Sequence, residues 1–372
     1  MVRCPCRVEI NLSPMASSPR DITLTIQPES RFDVIDVAER VREEEEGFFG
    51  RFGRSAFTSY HTTAGYFEQS FANRLKNNPE ALEAYLESFQ KLFPPDADYL
   101  HDQMELRNEL TEEQKAVEPR NADSHLTFIG SGLENTVTYL NRRPDQSVWF
   151  VDLDGTNGDE HRNRKTTIIG YDRETVTRRR AVPIRMSGHP IDSVNLWDPR
   201  LGLLEELQHE ANQLGIRKGR IDLALAPDES HTGLTVNEYE TLLMQHDLVD
   251  VLRDPIRFMA QKGRNMIKDP GAIKEKAKDY MKYDLVHVVN EFIDAMGLSE
   301  TLVERIIDKF FQVPAHRFLR MKRSVSMIVS DGSDGAQSHI VSGTYQSPIL
   351  VQWKRRDERR ERILEATFTR FD

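Results

Sequence analysis

The stretch Phe57–Gln69, FTSYHTTAGYFEQ, decides how this chain is read. Its alternating apolar start predicts a strand. It then presents His61, the hydroxyls of Thr62 and Thr63, and an Ala64-Gly65 turn, followed by Glu68 and Gln69. Strand ends that carry an imidazole, hydroxyls and a Gly commonly present chemistry at a sheet edge. The plain alternative is a surface His at a strand-to-loop junction. An echo in the second half, DESHTGLTVNE over Asp228–Glu238, favours the functional reading.

Working outward, the same order of elements occurs twice. The first run begins with a strand at Asp21–Gln27, a helix at Val34–Glu46 and a strand at Arg54–Tyr60. A helix at Ser70–Phe93 and another at His101–Val117 follow. Glu118–Asn141 reads as a turn, a strand, a Gly break and a second strand. Strands at Ser147–Leu153 and Lys165–Gly170 close the run. The second run has a strand at Ala181–Met186, a helix at Leu201–Leu214 and a strand at Arg220–Ala226 that delivers His231. A long helical section over about Val236–Phe311 comes next, then strands near His316–Val329, His339–Tyr345, Pro348–Trp353 and Ile363–Phe368. The predicted fold is α+β: a tandem duplication of one domain, each with a mixed or antiparallel sheet and packed helices, enlarged by helical insertions. The expected domains are 21–176 and 177–372, meeting near Thr175–Arg180, with an insertion over about 239–311. Chance similarity of two α+β domains is the alternative.

Composition narrows the classes. The chain has 372 residues, 30% charged and 38% hydrophobic, with a net charge of −10. That balance suits a soluble protein and argues against a general nucleic-acid binder. The longest apolar runs are too short for a membrane span, and no secretory leader is evident. Cys4 and Cys6, the only cysteines, are too closely spaced for a usual zinc site; a reducing cytoplasm is expected. Residues 1–20 read as a disordered tail, with Met15 an alternative start. The run KRRDERRER at Lys354–Arg362 is mixed in sign and reads as an ion-paired turn, so no nucleic-acid partner is expected.

Three groups carry chemistry: His61-Thr62-Thr63-Ala64-Gly65; Asn121-Ala122-Asp123-Ser124-His125, placed before a strand; and Asp152-Leu153-Asp154-Gly155 with Arg162-Asn163-Arg164. Imidazole and carboxylate ligate metals, and guanidinium pairs with phosphate oxygens. The set could therefore hold a divalent metal, Mg or Zn, through His61, His125 and Asp154, or bind a phosphorylated small molecule. Structural ion pairs are the alternative. Gly130-Ser131-Gly132 imitates a dinucleotide fingerprint, but Thr136-Val137-Thr138-Tyr139 are strand formers where that fold needs a helix, so no nucleotide cofactor is expected.

These motifs resemble the YjbQ family, assigned secondary thiamine-phosphate synthase activity. The first run matches at His61–Gly65, Asn121–Leu126 (NADSHL), and Arg162 and Arg164. The second matches at Gly233–Glu238 (GLTVNE), Gly343–Gln346 (GTYQ), Arg360 and Arg362, with a remnant PAH at Pro314–His316. Each run keeps different parts: the first has Tyr66-Phe67-Glu68-Gln69 in place of LTINE, and the second has lost part of HTTAG. The resemblance implies an enzyme that joins two small molecules through a C–N bond and releases pyrophosphate. His61, His125, His231 and Glu238 would be catalytic, with Asp123 orienting an imidazole and His316 the second run's counterpart of His125. Thr62, Thr63, Asn121, Arg162, Arg164, Asn237, Gln346, Arg360 and Arg362 would hold substrate. It also implies trimer-like homo-oligomers with sites near subunit boundaries. A non-catalytic metal- or metabolite-binding oligomer and a metal-dependent phosphate-ester hydrolase are the competing functions. The open question is whether His61 works with its own Asn121–His125 run or with side chains of the other half.

Overall fold

The computed structural model describes residues 18–372 apart from 96, 187, 254–320, 332–336 and 355–358. The N-terminal tail with its cysteines, His316 and most of the expected helical insertion lie outside the described residues.

The first half runs β1 (Arg20–Ile26), β2 (Asp33–Asp36), α1 (Val37–Glu44), α2 (Phe48–Arg51), β3 (Arg54–Ser59), β4 (Ala64–Gly65), α3 (Gln69–Arg74) and α4 (Pro79–Leu92). It continues with a 3-10 turn at Met104–Leu106, α5 (Glu112–Val117), α6 (Ala122–Ser131), β5 (Thr136–Leu140) and β6 (Trp149–Asp152). The small hairpin β7 (Thr156–Asn157) and β8 (Glu160–His161) leads into β9 (Arg164–Tyr171). The second half runs β10 (Glu174–Arg185), β11 (Ile191–Asn195), α7 (Leu203–Gln213), β12 (Lys218–Leu225), β13 (Thr232–Glu238), a π-helical turn at Leu243–Asp247 and α8 (Leu248–Arg253). Strands β14 (Ser324–Ser330), β15 (His339–Val341), β16 (Gln346–Trp353) and β17 (Glu361–Phe371) complete it.

Each half holds a larger and a smaller sheet, in orders β1-β9-β3-β5 and β2-β6-β4 in the first, β10-β17-β12-β14-β15 and β11-β16-β13 in the second. The orders match except that β15 adds a fifth strand to the second half's larger sheet, and the pairings between these strands are antiparallel. Even the isolated bridges correspond, Tyr66 to Glu134 in one half and Leu234 to Lys322 in the other. The α+β class with antiparallel sheets is as the sequence predicts.

Local chemistry explains the element ends. The Asp36 carboxylate accepts from the amides of Ala38 and Glu39, so β2 passes directly into α1. Asn78 caps α4 through the Ala81 amide, with Pro79 in its first turn. Lys76 and Asn77 adopt positive φ and split the single helix expected over Ser70–Phe93. In β12 the alternation of KGRIDLAL puts every second residue in the core.

Three further expectations fail. Residues 122–131 form a helix, not a strand; every one of its residues is buried. A helix buried on all sides, here with polar and apolar residues mixed around it, has no amphipathic stripe, so periodicity does not distinguish it from a strand. Gly132 ends it in the left-handed conformation. Likewise Thr232–Glu238 is a strand, so the helical section does not begin at Val236. Of the helix expected over His101–Val117, only the 3-10 turn and α5 form.

The halves pack through a cluster of Ala56, Ile169 and Tyr171 with Ile328, Val341 and Phe371. The Tyr171 and Phe371 rings stack with centroids 3.8 Å apart, a contact worth about 0.5–1.5 kcal/mol beyond its buried area. Lys322 reaches across to Glu134 at 2.7 Å. Closest of all, Gly343 lies against the Tyr60 backbone, where an added Cβ would collide with the Tyr60 carbonyl. Gly343→Ala is therefore expected to force the halves apart locally and lower stability by about 1–3 kcal/mol, read as a lower urea midpoint with an unchanged m-value.

Candidate active site

A cavity of about 620 Å³ opens at the junction of the halves. His61, Thr62, Thr63, Asn121, Arg162 and Arg164 line it from the first half, and Glu238 and Tyr345 from the second. Seven of the site residues expected from sequence thus converge, and they come from both halves. His231, Arg360 and Arg362 do not line it.

Three cross-half contacts build the site. Asn237, fully buried on β13, donates through Nδ2 to the Thr62 carbonyl at 3.0 Å. Its Oδ1 lies 2.7 Å from His125 Nδ1 and also accepts the Glu238 amide. Gln346 donates to the carbonyls of Ser59 and His61 at 2.9 and 2.8 Å. The HTT segment is therefore held from behind by amide side chains of the second half.

His61 sits just past β3. Its Nε2 accepts the Lys165 amide at 2.7 Å, and Nδ1 lies 3.4 Å from Arg164 Nη1. Burial, then the charges of Arg164 and Arg162, push its pKa down to about 3. It is a neutral imidazole whose Nε2 lone pair is already engaged.

His125 lies in the first turn of α6, 1% exposed. Because Asn237 Oδ1 is an acceptor, the hydrogen-bond network puts the ring proton on Nδ1. Nε2 then carries the lone pair. It has no hydrogen-bond partner and lies 3.8 Å from Glu238 Oε2. Burial first, then the nearby His101, pushes the His125 pKa well down. Burial also raises that of Glu238, against the opposing charges of His101 and Arg107. A carboxyl that holds its proton more firmly than a free one thus faces a buried imidazole lone pair, with the carboxyl at the cavity wall.

Arg164, expected to bind phosphate, is placed otherwise. Its guanidinium pairs with both Asp152 oxygens, at 2.5 and 2.9 Å, and donates to the Asp154 carbonyl. It braces the acidic turn. Arg162 is more open and pairs with Asp154 at 3.1 Å, while Asn121 donates to the same carboxylate at 2.7 Å. Asp123 does not orient an imidazole: it pairs with Arg31 at 2.7 Å, and burial raises its pKa to about 6. The His–carboxylate pair here is His101–Asp102, 2.9 Å apart and buried, with the His101 ring 5.4 Å from that of His125. Asp102 also accepts the Ala122 amide at the start of α6. Burial pulls the His101 pKa down, but the bond to Asp102 and its charge outweigh that, and the net shift is upward. No sequence motif marks this pair; it comes from the segment between α4 and α6.

In the second half, Arg362 is fully buried. It pairs with the buried Glu229 at 2.8 Å, binds Gln352, and donates to the carbonyls of Ser230, His231 and Trp353. Arg360 is exposed. The expected metal trio does not come together as ligands: His61 Nε2 accepts the Lys165 amide and Asp154 is taken by Asn121 and Arg162, which leaves His125 Nε2 alone with an unengaged lone pair. No cluster of three metal-ligating side chains exists among the described residues. No helix among them is long and apolar enough to cross a membrane.

No protein-family model matches the chain, and no curated protein does. Solved structures do. A YbjQ-like protein of unknown function from Sulfolobus solfataricus is 15% identical, with 53% of this chain and 99% of that one covered and a TM-score of 0.28. A hypothetical protein from Aeropyrum pernix is 16% identical over 52% of this chain and 98% of its own, TM-score 0.28. An uncharacterized protein of the YjbQ family from Clostridium acetobutylicum is 18% identical over 40% and 97%, TM-score 0.27. Each spans about half of this chain.

Two outcomes follow. Asp152→Asn is expected to leave Arg164 buried beside a neutral partner and to cost about 3–5 kcal/mol, measured by urea unfolding, whereas Arg179→Ala, which removes an exposed pair with Glu365, changes stability by less than about 1 kcal/mol. The folded pKa of His61, about 3, lies below the 6.5 of the unfolded chain. Between these values the unfolded chain binds more protons, so this group's contribution to stability is present above pH 6.5 and is lost as pH falls toward 3. His61→Gln is expected to flatten the stability–pH curve in that window; an unchanged acid limb would show that His61 is not held neutral.

Proposed function

We propose that the junction cavity is an active site of YjbQ type that holds a phosphorylated small molecule and moves a proton through Glu238 and His125. The carrying observation is the convergence in one cavity of His61, Thr62, Thr63, Asn121 and Arg162 from one half with Glu238 from the other. In this reading Arg162 and the Thr62 and Thr63 hydroxyls meet the phosphate. Glu238 exchanges a proton with the reacting group, and His125 Nε2 behind it accepts or returns that proton. Asn237 fixes the His125 tautomer, and Arg164 with Asp152 holds the turn that bears Arg162. No metal is required by these steps. The matched strand orders favour a tandem duplication in which the two halves of one chain supply the pair of units that a family-type site needs.

The reaction class suggested by resemblance is C–N bond formation with pyrophosphate release. It is tested by a thiamine-phosphate synthesis assay on the purified chain, with light scattering to read whether it assembles as a trimer. Glu238→Gln and His125→Ala are each expected to lower turnover by about 10²–10⁴-fold while phosphate-ester binding changes little. Binding without turnover in the unaltered chain would favour the second reading, a metabolite-binding protein, which the internal pairing of Arg164 supports.

A further inference from the structure

We propose that Tyr345, Val117 and Leu110 form an apolar wall that selects a phosphate ester with an apolar organic part over a sugar or polyol phosphate. This rests on the reading of the cavity as a phosphate-ester site.

Exposed large hydrophobic side chains are few among the described residues: Leu106, Val117, Val176, Leu201 and Tyr345. Two of these, Val117 at 70% and Tyr345 at 69% exposed, line the same cavity from opposite halves. A lone exposed Val or Tyr needs no explanation. Two facing one polar cavity, with Leu110 beside them, place apolar surface where a ligand would cover it.

Both sides of the wall are held in place by their neighbours. Val117 ends α5, a six-residue helix with no buried residue. A capping box between Thr111 and Gln114 fixes its start. α5 therefore has no core-packing role that would account for an apolar Val117. On the other side, Gly343 lies against the Tyr60 backbone and Gln346 grips the carbonyls of Ser59 and His61. Tyr345 lies between these two anchors, so its backbone is set while its ring stays open.

The charges near this end are already engaged. Arg107 binds Glu109 at 2.5 Å and Glu118 at 3.4 Å. Arg107 is thus not a free cation for a second phosphate, and the carboxylates of Glu118 and Glu160, which also line the cavity, disfavour one there. The cavity volume, about 620 Å³, leaves room for an organic group beyond a single phosphate.

The test is calorimetric binding of three probes to the full chain: inorganic phosphate, phenyl phosphate and glycerol 2-phosphate. Phenyl phosphate is expected to bind about 10-fold more tightly than glycerol 2-phosphate. Tyr345→Ala and Val117→Asn are each expected to erase about 5-fold or more of that preference and, since neither adds a charge, to leave inorganic phosphate within about 2-fold. Both positions are exposed, so the variants should fold, which circular dichroism checks. Equal binding of the two esters, or a preference unchanged in both variants, overturns this inference and leaves the anion site standing. Failure of all three probes overturns the anion site and this inference with it.

Discussion

The site depends on one buried amide. Asn237 donates to the Thr62 carbonyl and accepts from His125 and from the Glu238 amide. Those bonds join a loop and a helix of the first half to a strand of the second. An unpaired buried polar group costs about 1–3 kcal/mol, so the two first-half groups that Asn237 satisfies, the Thr62 carbonyl and His125, help to set the register of the halves. The same bonds decide the chemistry. With Nδ1 donating to Asn237, the His125 lone pair can lie only on Nε2, toward Glu238. An Asp at position 237 would accept from His125 but could not donate to Thr62, so the amide serves both ends where a carboxylate serves one.

The two halves repeat one topology yet resolve one problem differently. Arg164 and Arg362 each open the last strand of a half. In the first half the counter-charge is Asp152, on the strand beside the HTT turn, and the cavity remains open in front. In the second half the position matching Asp152 is Gln352, which supplies no charge, and Glu229 compensates from the loop before His231. Glu229 also accepts the Ile363 amide, so this carboxylate lies inside the second half rather than at a cavity wall. A fully buried pair of this kind is tolerated only when its remaining donors and acceptors are met, and here the Ser230, His231 and Trp353 carbonyls meet them.

Much of this was legible in the chain. The HTTAG and GLTVNE stretches, most of the strands repeated in order, and the Arg162–Arg164 turn are short-range patterns, and these survive translation into structure. What escaped is long-range or featureless. Residues 122–131 show no stripe because every face is buried. Asp123 pairs with Arg31, and nothing in the spacing of those residues announces it. His101 and Asp102 are adjacent in sequence, but their importance arises only when the loop folds back against α6. Whether His61 works within its own half was undecidable from one chain read linearly. Its motif carried the imidazole while the matching Asn-Glu pair stood far away, and only the register of β13 against the HTT turn brings them together.

The electrostatics of the cavity narrow what it can recognise. Arg164 and Arg107 line it, but their guanidiniums are directed at Asp152, Glu109 and Glu118. His61 is neutral, for reasons of burial first and neighbouring cations second. Arg162 is the half-buried cation whose one carboxylate partner, Asp154, is shared with Asn121. A phosphate entering here would compete with Asp154 for Arg162 rather than meet an unengaged charge. Affinity would then come less from net charge than from the Thr62–Thr63 segment, whose backbone Asn237 and Gln346 already hold and which loses little freedom when the ligand arrives. Such a site discriminates by shape and by the organic part of the ligand more than by anion strength, and that organic part is what Tyr345 and Val117 face.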